Sequence, residues 1–205
     1  MENVNVYNIT ASILRRIEQI KDPSAKRALL ANIRNSIGRG ALNSPTAMTY
    51  LFASLPEELC GTGKDLNFYE KAVLTAVQLY ALHQQSNEES VLKLDYIPGE
   101  YRQNIGDSLR SLRNEDDTSI DKRFNIMISS DNFSQLENNL RHLIKLLKAK
   151  TETKVDYAEL ANDLYWFLKH QKVGIRIKWG RSYYRIKLNS KLEDETGDES
   201  NDEKK

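Results

Sequence analysis

The sequence predicts an all-α fold, a two-lobed helical bundle, and three observations carry that prediction. Apolar residues recur at spacings of three and four through nearly every stretch of the first 188 residues, as one buried helix face requires. Helix-start signals stand before several of these stretches: Asp22-Pro23, Asn67 with Glu70, and Asp156 with Glu159. Composition fits a folded chain. At 205 residues and 40% hydrophobic content, with nine Gly and four Pro, it is long enough to bury a core and too apolar for wholesale disorder.

Taken in order, Ile9, Ile13, Ile17 and Ile20 line one face of a first helix. Asp22 as N-cap and Pro23 at the first helical position open a second. Its Leu29, Leu30, Ile33 and Ile37 share one side, and it ends at Gly38 or Gly40, where a left-handed residue costs little. A short third helix follows Ser44-Pro45 through Met48, Leu51 and Phe52 and stops before Pro56. Residues 60–65 read as a loop. Asn67 and Glu70 then have the spacing of a capping box at the head of a long helix through Val73, Leu74, Val77, Tyr80 and Ala81.

Residues 87–99 are polar and broken by Pro98-Gly99, which marks a lobe boundary. Helices are expected over 101–113, with Ile105, Leu109 and Leu112 inward, and over 120–129. Ser134 and Glu137 form a further capping box before the stripe Leu136, Leu140, Leu143, Ile144 and Leu147, with Arg141, Lys145 and Lys148 on the opposite side. Asp156 and Glu159 cap the next helix, burying Leu160, Leu164, Phe167 and Leu168. The stretch Ile175-Arg-Ile-Lys-Trp179 alternates with period two. It fits a short C-terminal hairpin across Gly180 with residues 184–188, or a helical ending. The chain thus divides into an N-terminal helical lobe at 1–88, a linker at 89–100, a C-terminal helical lobe at 101–188 and a tail at 189–205.

The net charge of +1 conceals segregation. The tail holds seven acids (Glu193, Asp194, Glu195, Asp198, Glu199, Asp202, Glu203) against three lysines, and without it the body carries +5. Its one large apolar residue, Leu192, cannot offset the entropy of ordering it, so the tail is expected to be disordered. The single Cys60 excludes an internal disulfide and a cysteine-built zinc site. The longest apolar stretch, residues 72–82, is half a membrane span, and the start, Met1-Glu2-Asn3, has no basic region followed by an apolar one. A soluble, cytoplasmic protein without a membrane partner is the expectation.

No constellation for catalysis emerges. His83, His142 and His170 are scattered, and none has Cys, Asp or Glu three or four residues on. Cys60 has no visible base. Gly61-Thr62-Gly63-Lys64 imitates a phosphate loop, but that motif needs a glycine at position 58 and a hydroxyl at 65, where this chain has Glu58 and Asp65. The acid runs Glu88-Glu89 and Glu115-Asp116-Asp117 read as solvated loops. No catalytic residue, metal ligand, cofactor or small-molecule substrate is expected.

The positive signal is basic. Arg27 stands among the basic residues of the first helices, Arg34 and Arg39 flank the glycine-punctuated end of the second, and further clusters recur at Arg110 with Arg113, Lys122 with Arg123, and Arg141 with Lys145 and Lys148. From Lys169 to Lys187 seven basic residues, Lys178 and Arg181 among them, stand without an acid and interleave with Trp179, Tyr183 and Tyr184. Charges of this kind with stacking platforms suit a polyanion bound without regard to sequence.

Several motifs then occur together: Arg27-Ala-Leu-Leu-Ala-Asn-Ile-Arg34 with Gly38, Tyr80-Ala-Leu-His-Gln-Gln-Ser86, Lys122-Arg-Phe124, Leu140-Arg-His-Leu-Ile-Lys-Leu-Leu147, Val155-Asp-Tyr157 with Asp163-Leu164, and Lys178-Trp-Gly-Arg-Ser-Tyr-Tyr184. In order and spacing they span about residues 26–185, and the chain resembles the CasB family, the small subunit of the type I-E CRISPR surveillance complex Cascade. The resemblance implies an all-helical, non-catalytic protein, present in two copies against the backbone subunits and beside the large subunit. It would contact crRNA, target strand and displaced strand in the R-loop through sequence-independent phosphate contacts, while base pairing with the guide supplies specificity. Carried onto this sequence, the contacts fall to Arg27, Arg34, Arg39, Lys122, Arg123, Arg141, Lys145, Lys178 and Arg181, with Arg110 and Arg113 added from charge alone. His83, Gln84 and Gln85 read as a helix end that hydrogen-bonds between helices. The linker and the tail fall outside the family pattern.

Two other readings compete. A stand-alone helical DNA-binding regulator would need a helix pair joined by a tight turn and ending in a polar recognition helix, which the sequence lacks. A protein-only adaptor would use the basic faces for acidic partners.

Overall fold

The computed structural model describes residues 5–38, 45–94, 101–114 and 118–185. The described residues form nine α-helices, and no strand or sheet occurs among them. In chain order these are α1 (Val6–Glu18), α2 (Pro23–Asn35), α3 (Pro45–Phe52), α4 (Phe68–Gln84), α5 (Ile105–Leu109), α6 (Ser119–Ile128), α7 (Phe133–Lys150), α8 (Tyr157–Leu168) and α9 (Lys172–Tyr184).

Local chemistry accounts for most helix starts. Asp22 accepts from the Ser24 amide with Pro23 in the first turn of α2. Asn67 and Glu70 close a reciprocal capping box on α4, and Asp156 accepts from the Glu159 amide at the head of α8. Gly38 follows α2 with φ +75°, a conformation that favours glycine.

Three expectations change. The helix placed over 101–113 is shorter, because Asn104 and Asp107 form a capping box that starts α5 at Ile105, and a 3₁₀ turn at Arg110–Leu112 ends it. The cap of α7 is Asn132, which accepts from the Gln135 amide, rather than Ser134. Starting there places Phe133 in the first turn, where it is buried. The hairpin alternative at the C-terminus gives way to α9. Ile175, Trp179 and Tyr183 are buried at helical spacing, while Ile177, central to the alternating pattern, is 47% exposed. The Trp179 indole N–H donates to Asp163 of α8 at 2.7 Å, so tertiary packing sets the period.

The core is continuous. Helix α4 lies at its centre with nearly every side chain from Glu70 to Gln84 buried, and packs against α1, α2, α7 and α8. Helix α1 also packs extensively on α8. The chain segments on either side of 89–100 therefore share one core. A parallel bridge between Leu92 and Val155 ties the segment after α4 to the entry of α8, through Lys93 N–H to Val155 O at 3.0 Å and Val155 N–H to Val91 O at 2.9 Å. Residues 95–100 of the linker, Arg39 and the whole acidic tail lie outside the described residues.

Candidate nucleic-acid interface

The fold assembles a first basic group from two helices distant in sequence. On α2, Arg27 and Arg34 are seven residues apart and share a face, as do Arg141, Lys145 and Lys148 on α7. The two faces meet at the end of α2. A carbon added at Gly38 would lie 3.7 Å from Arg141 Nη1, an ordinary contact, so the guanidinium reaches the end of α2. Burial and then the nearby charge of Arg34 hold the Lys148 ammonium below its ordinary pKa. Lys148 donates to Gln85 Oε1 at 3.1 Å. Arg27 and Arg34 line an open groove of about 680 Å³ between α2 and the end of α4, with Gln85, Ser86 and one acid, Glu88. Like charges held together by a rigid frame repel each other, and an incoming anion relieves that repulsion.

A second group surrounds the end of α9. Arg113 donates to both Asp121 oxygens, at 3.0 and 3.3 Å, and its guanidinium lies 5.3 and 5.2 Å from the ring centroids of Tyr183 and Tyr184. Tyr183 donates to the same Asp121 at 2.7 Å, and Arg110 donates to the Arg185 carbonyl at 3.3 Å. Burial alone would raise the Asp121 pKa, but hydrogen bonds from Arg113 and Tyr183 pull it below the usual carboxylate value. Arg113 is thus neutralised within the fold. Lys122, Arg123 and Arg181 are exposed and form no ion pair among the described residues.

Lys178 has a different place. Its Nζ donates to Glu159 at 2.5 Å and to Asp163 at 2.6 Å. Arg102 donates to the other oxygen of Glu159 at 3.2 Å, with its guanidinium 3.9 Å from the Tyr7 ring centroid. Burial lowers the Lys178 pKa and the two carboxylates raise it, with a net rise, while burial pushes Asp163 up to about 6. This network fastens α9 and the approach to α5 onto α8. Lys172 and Arg176 are also engaged internally, on the carbonyls of Asp131 and Ser130. Trp179 and Tyr183 are fully buried core residues, which leaves Tyr184, 38% exposed, as the aromatic of this segment open to a base. Sequence alone could not separate these cations from the free ones, since their acidic partners sit elsewhere along the chain.

The features that imitate chemistry have structural roles. His83 is buried, and its Nδ1 lies 2.9 Å from the Tyr157 hydroxyl. Burial, then the charge of Lys148, pushes its pKa down to about 4. Gln84 donates to the Asn87 and Glu89 carbonyls and accepts from the Val91 amide, pinning the turn after α4. In the Gly61–Lys64 loop the Glu70 carboxylate accepts from the Gly61 and Asn67 amides, both at 2.7 Å, and so holds the amide that a phosphate would need. Among the described residues no three His, Cys, Asp or Glu side chains converge to hold a metal, and no helix is long and apolar enough to cross a membrane.

Comparison with known proteins agrees with this architecture. The family model of CRISPR-associated protein Cse2 matches residues 29–184. CasB from Thermobifida fusca superposes with a TM-score of 0.67 at 23% identity, covering 88% of this chain and 98% of that one. CasB from M. ruber gives 0.64 at 20%, covering 92% and 97%. A chain of a CRISPR RNA-guided surveillance complex gives 0.64 at 17%, covering 93% and 97%. A search of curated proteins found no match. At these identities the structural likeness speaks for the fold, and the family match over most of the helical body speaks for descent: the chain belongs to the CRISPR-associated Cse2 family.

Proposed function

We propose that this protein is a non-catalytic, nucleic-acid-binding structural subunit of a crRNA-guided type I-E CRISPR interference complex. It holds crRNA, target strand and displaced strand in the R-loop through sequence-independent phosphate contacts, beside the backbone and large subunits and a second copy of itself, in the cytoplasm. The observation that carries the reading is the cationic face of α2 and α7. There Arg27, Arg34, Arg141, Lys145 and Lys148 are gathered from distant parts of the chain, and Arg34 is close enough for its charge to add to burial in lowering the Lys148 pKa. Arg110 at the end of α9, Arg181 exposed on that helix, and Lys122 and Arg123 exposed on α6 form the second contact surface. Phosphate backbones need nothing more specific than such charges, and base pairing with a guide supplies the sequence information.

The test is co-expression of the tagged chain with its genomic neighbours. A large ribonucleoprotein containing a guide-length RNA and about two copies of the chain is the expected product. A free monomer without RNA, despite expression of the neighbours, overturns the proposal.

A further inference from the structure

We propose that the acidic C-terminal segment is an intramolecular competitor for the second basic group, an anion tethered beside the surface it covers. The inference rests on the nucleic-acid reading above and adds a regulation to it. Charge states the case first. From Glu193 to Glu203 the chain carries seven acids and no basic residue, whereas the body to which it is attached carries +5. The acids follow one another closely along the sequence, as phosphates do along a nucleic-acid strand, and lysine and arginine pair with either.

Geometry supplies the rest. The second basic group begins at the point where the chain leaves α9 and continues onto the exposed side of α6. Arg110 is bonded to the carbonyl of Arg185 at 3.3 Å, and the Arg185 guanidinium lies 4.7 Å from the Tyr101 ring centroid. Asp121 of α6 accepts from the Tyr183 hydroxyl at 2.7 Å, and Lys122 and Arg123 are exposed on that same helix, turned away from the face that meets α9. Arg181 is one turn of α9 earlier. Seven residues lie between Arg185 and Glu193, and the eight steps from one to the other reach at most about 28 Å, ample to bring the acids over these side chains. A tethered ligand of this reach acts at millimolar effective concentration, so weak individual pairs suffice for occupancy at low salt. Asp121 is already engaged by Arg113, which leaves Lys122, Arg123 and Arg181 as cations without an ion pair among the described residues. A nucleic-acid strand has to displace the tail to reach them. The consequence is lower affinity for isolated strands, with the surface uncovered when a longer polyanion is presented.

The experiment keeps the chain at full length. Glu193, Glu195, Glu199 and Glu203 are changed to Gln, and Asp194, Asp198 and Asp202 to Asn. Binding of both proteins to a fluorescent 20-nucleotide oligo-dT is titrated at about 50 mM and about 500 mM KCl. The neutralised tail is expected to tighten binding by about tenfold at the lower salt, with the two proteins converging at the higher. Equal affinities at about 50 mM overturn the proposal. A second measurement needs no nucleic acid. Zero-length carbodiimide crosslinking of the native chain, read by mass spectrometry, is expected to join tail carboxylates to Lys122. Crosslinks of Lys122 confined to Glu115, Asp116 or Asp117, or tail crosslinks confined to Lys145 and Lys148, overturn the contact. Failure of both proteins to bind oligo-dT sinks the nucleic-acid reading and the competition with it, while the crosslink map still decides the contact separately.

Discussion

Replacing Lys178 with Met tests whether the basic C-terminal segment faces ligand or fold. Met keeps the apolar stem and removes the ammonium, so the change isolates two bonds, to Glu159 at 2.5 Å and Asp163 at 2.6 Å. Glu159 retains Arg102 at 3.2 Å, but Asp163 keeps only the Trp179 indole at 2.7 Å and is 1% exposed. Breaking a buried pair from one side costs about 3–5 kcal/mol. Two features reduce that figure. The Lys178 side chain is itself 34% exposed, so water already weakens the pair. Asp163 also has an escape by protonation. With its pKa already raised to about 6, taking up a proton at pH 7 costs about 1.4 kcal/mol, which caps the charge penalty at that carboxylate. Adding the lost hydrogen bonds gives about 2 kcal/mol at pH 7. With a urea m-value of about 2 kcal/mol/M, the unfolding midpoint should fall by about 1 M.

The pH dependence fixes the sign. A carboxyl raised in the folded state above its unfolded value of 3.8 penalises folding while ionised, and the penalty lifts as pH falls through the folded pKa. In the variant that folded pKa rises further, so the gap between variant and native protein should narrow from pH 7 to pH 5. Oligonucleotide affinity of the folded variant, and its salt slope, should match the native protein. Unchanged urea stability, or a salt slope reduced by about 0.8, would refute the assignment and return Lys178 to the phosphate-binding set.

Arg34→Ala should leave thermal stability nearly unchanged, weaken binding to unrelated oligonucleotides alike and reduce the salt slope by about 0.7–0.9, as read by anisotropy titrations at several salt concentrations. Gly106→Ala should cost about 3 kcal/mol in denaturant unfolding, since its new carbon would sit 2.3 Å from the Trp179 carbonyl oxygen, where α5 and α9 touch backbone to backbone. His83→Gln should gain about 2 kcal/mol relative to the native protein between pH 7 and pH 5. Burial holds the native imidazole at about 4 against 6.5 when unfolded, so the unfolded chain takes the proton first and native stability falls as pH drops.

What the sequence disclosed follows the range over which each feature is decided. The caps Asp22, Asn67 with Glu70, and Asp156 act within three residues, and all three were legible as text. The amphipathic stripe of α7 was equally plain, although its cap lies two residues ahead of the expected Ser134 because Asn132 reaches the Gln135 amide first. The ending was not legible. Alternation from Ile175 to Trp179 suits a strand locally, and α9 wins through Asp163, sixteen residues away from Trp179. The cations illustrate the same limit. Arg34, Arg113 and Lys178 look alike in a string of letters, yet Arg113 is neutralised by Asp121 and Lys178 by two carboxylates of α8, while Arg34 faces another cation.

The burial of α4 on all sides divides labour between helices. A mast enclosed from Glu70 to Gln84 offers almost nothing to a ligand, so every side chain that meets one must come from the surrounding staves. On those staves the residues that hold the frame and the residues that face outward lie on opposite sides of one helix, so an exposed charge can be exchanged, added or inverted while the buried stripe beneath it is kept. Such a scaffold tolerates rapid change of its surface, and its binding face could be rewritten by design while α4 is left as it stands.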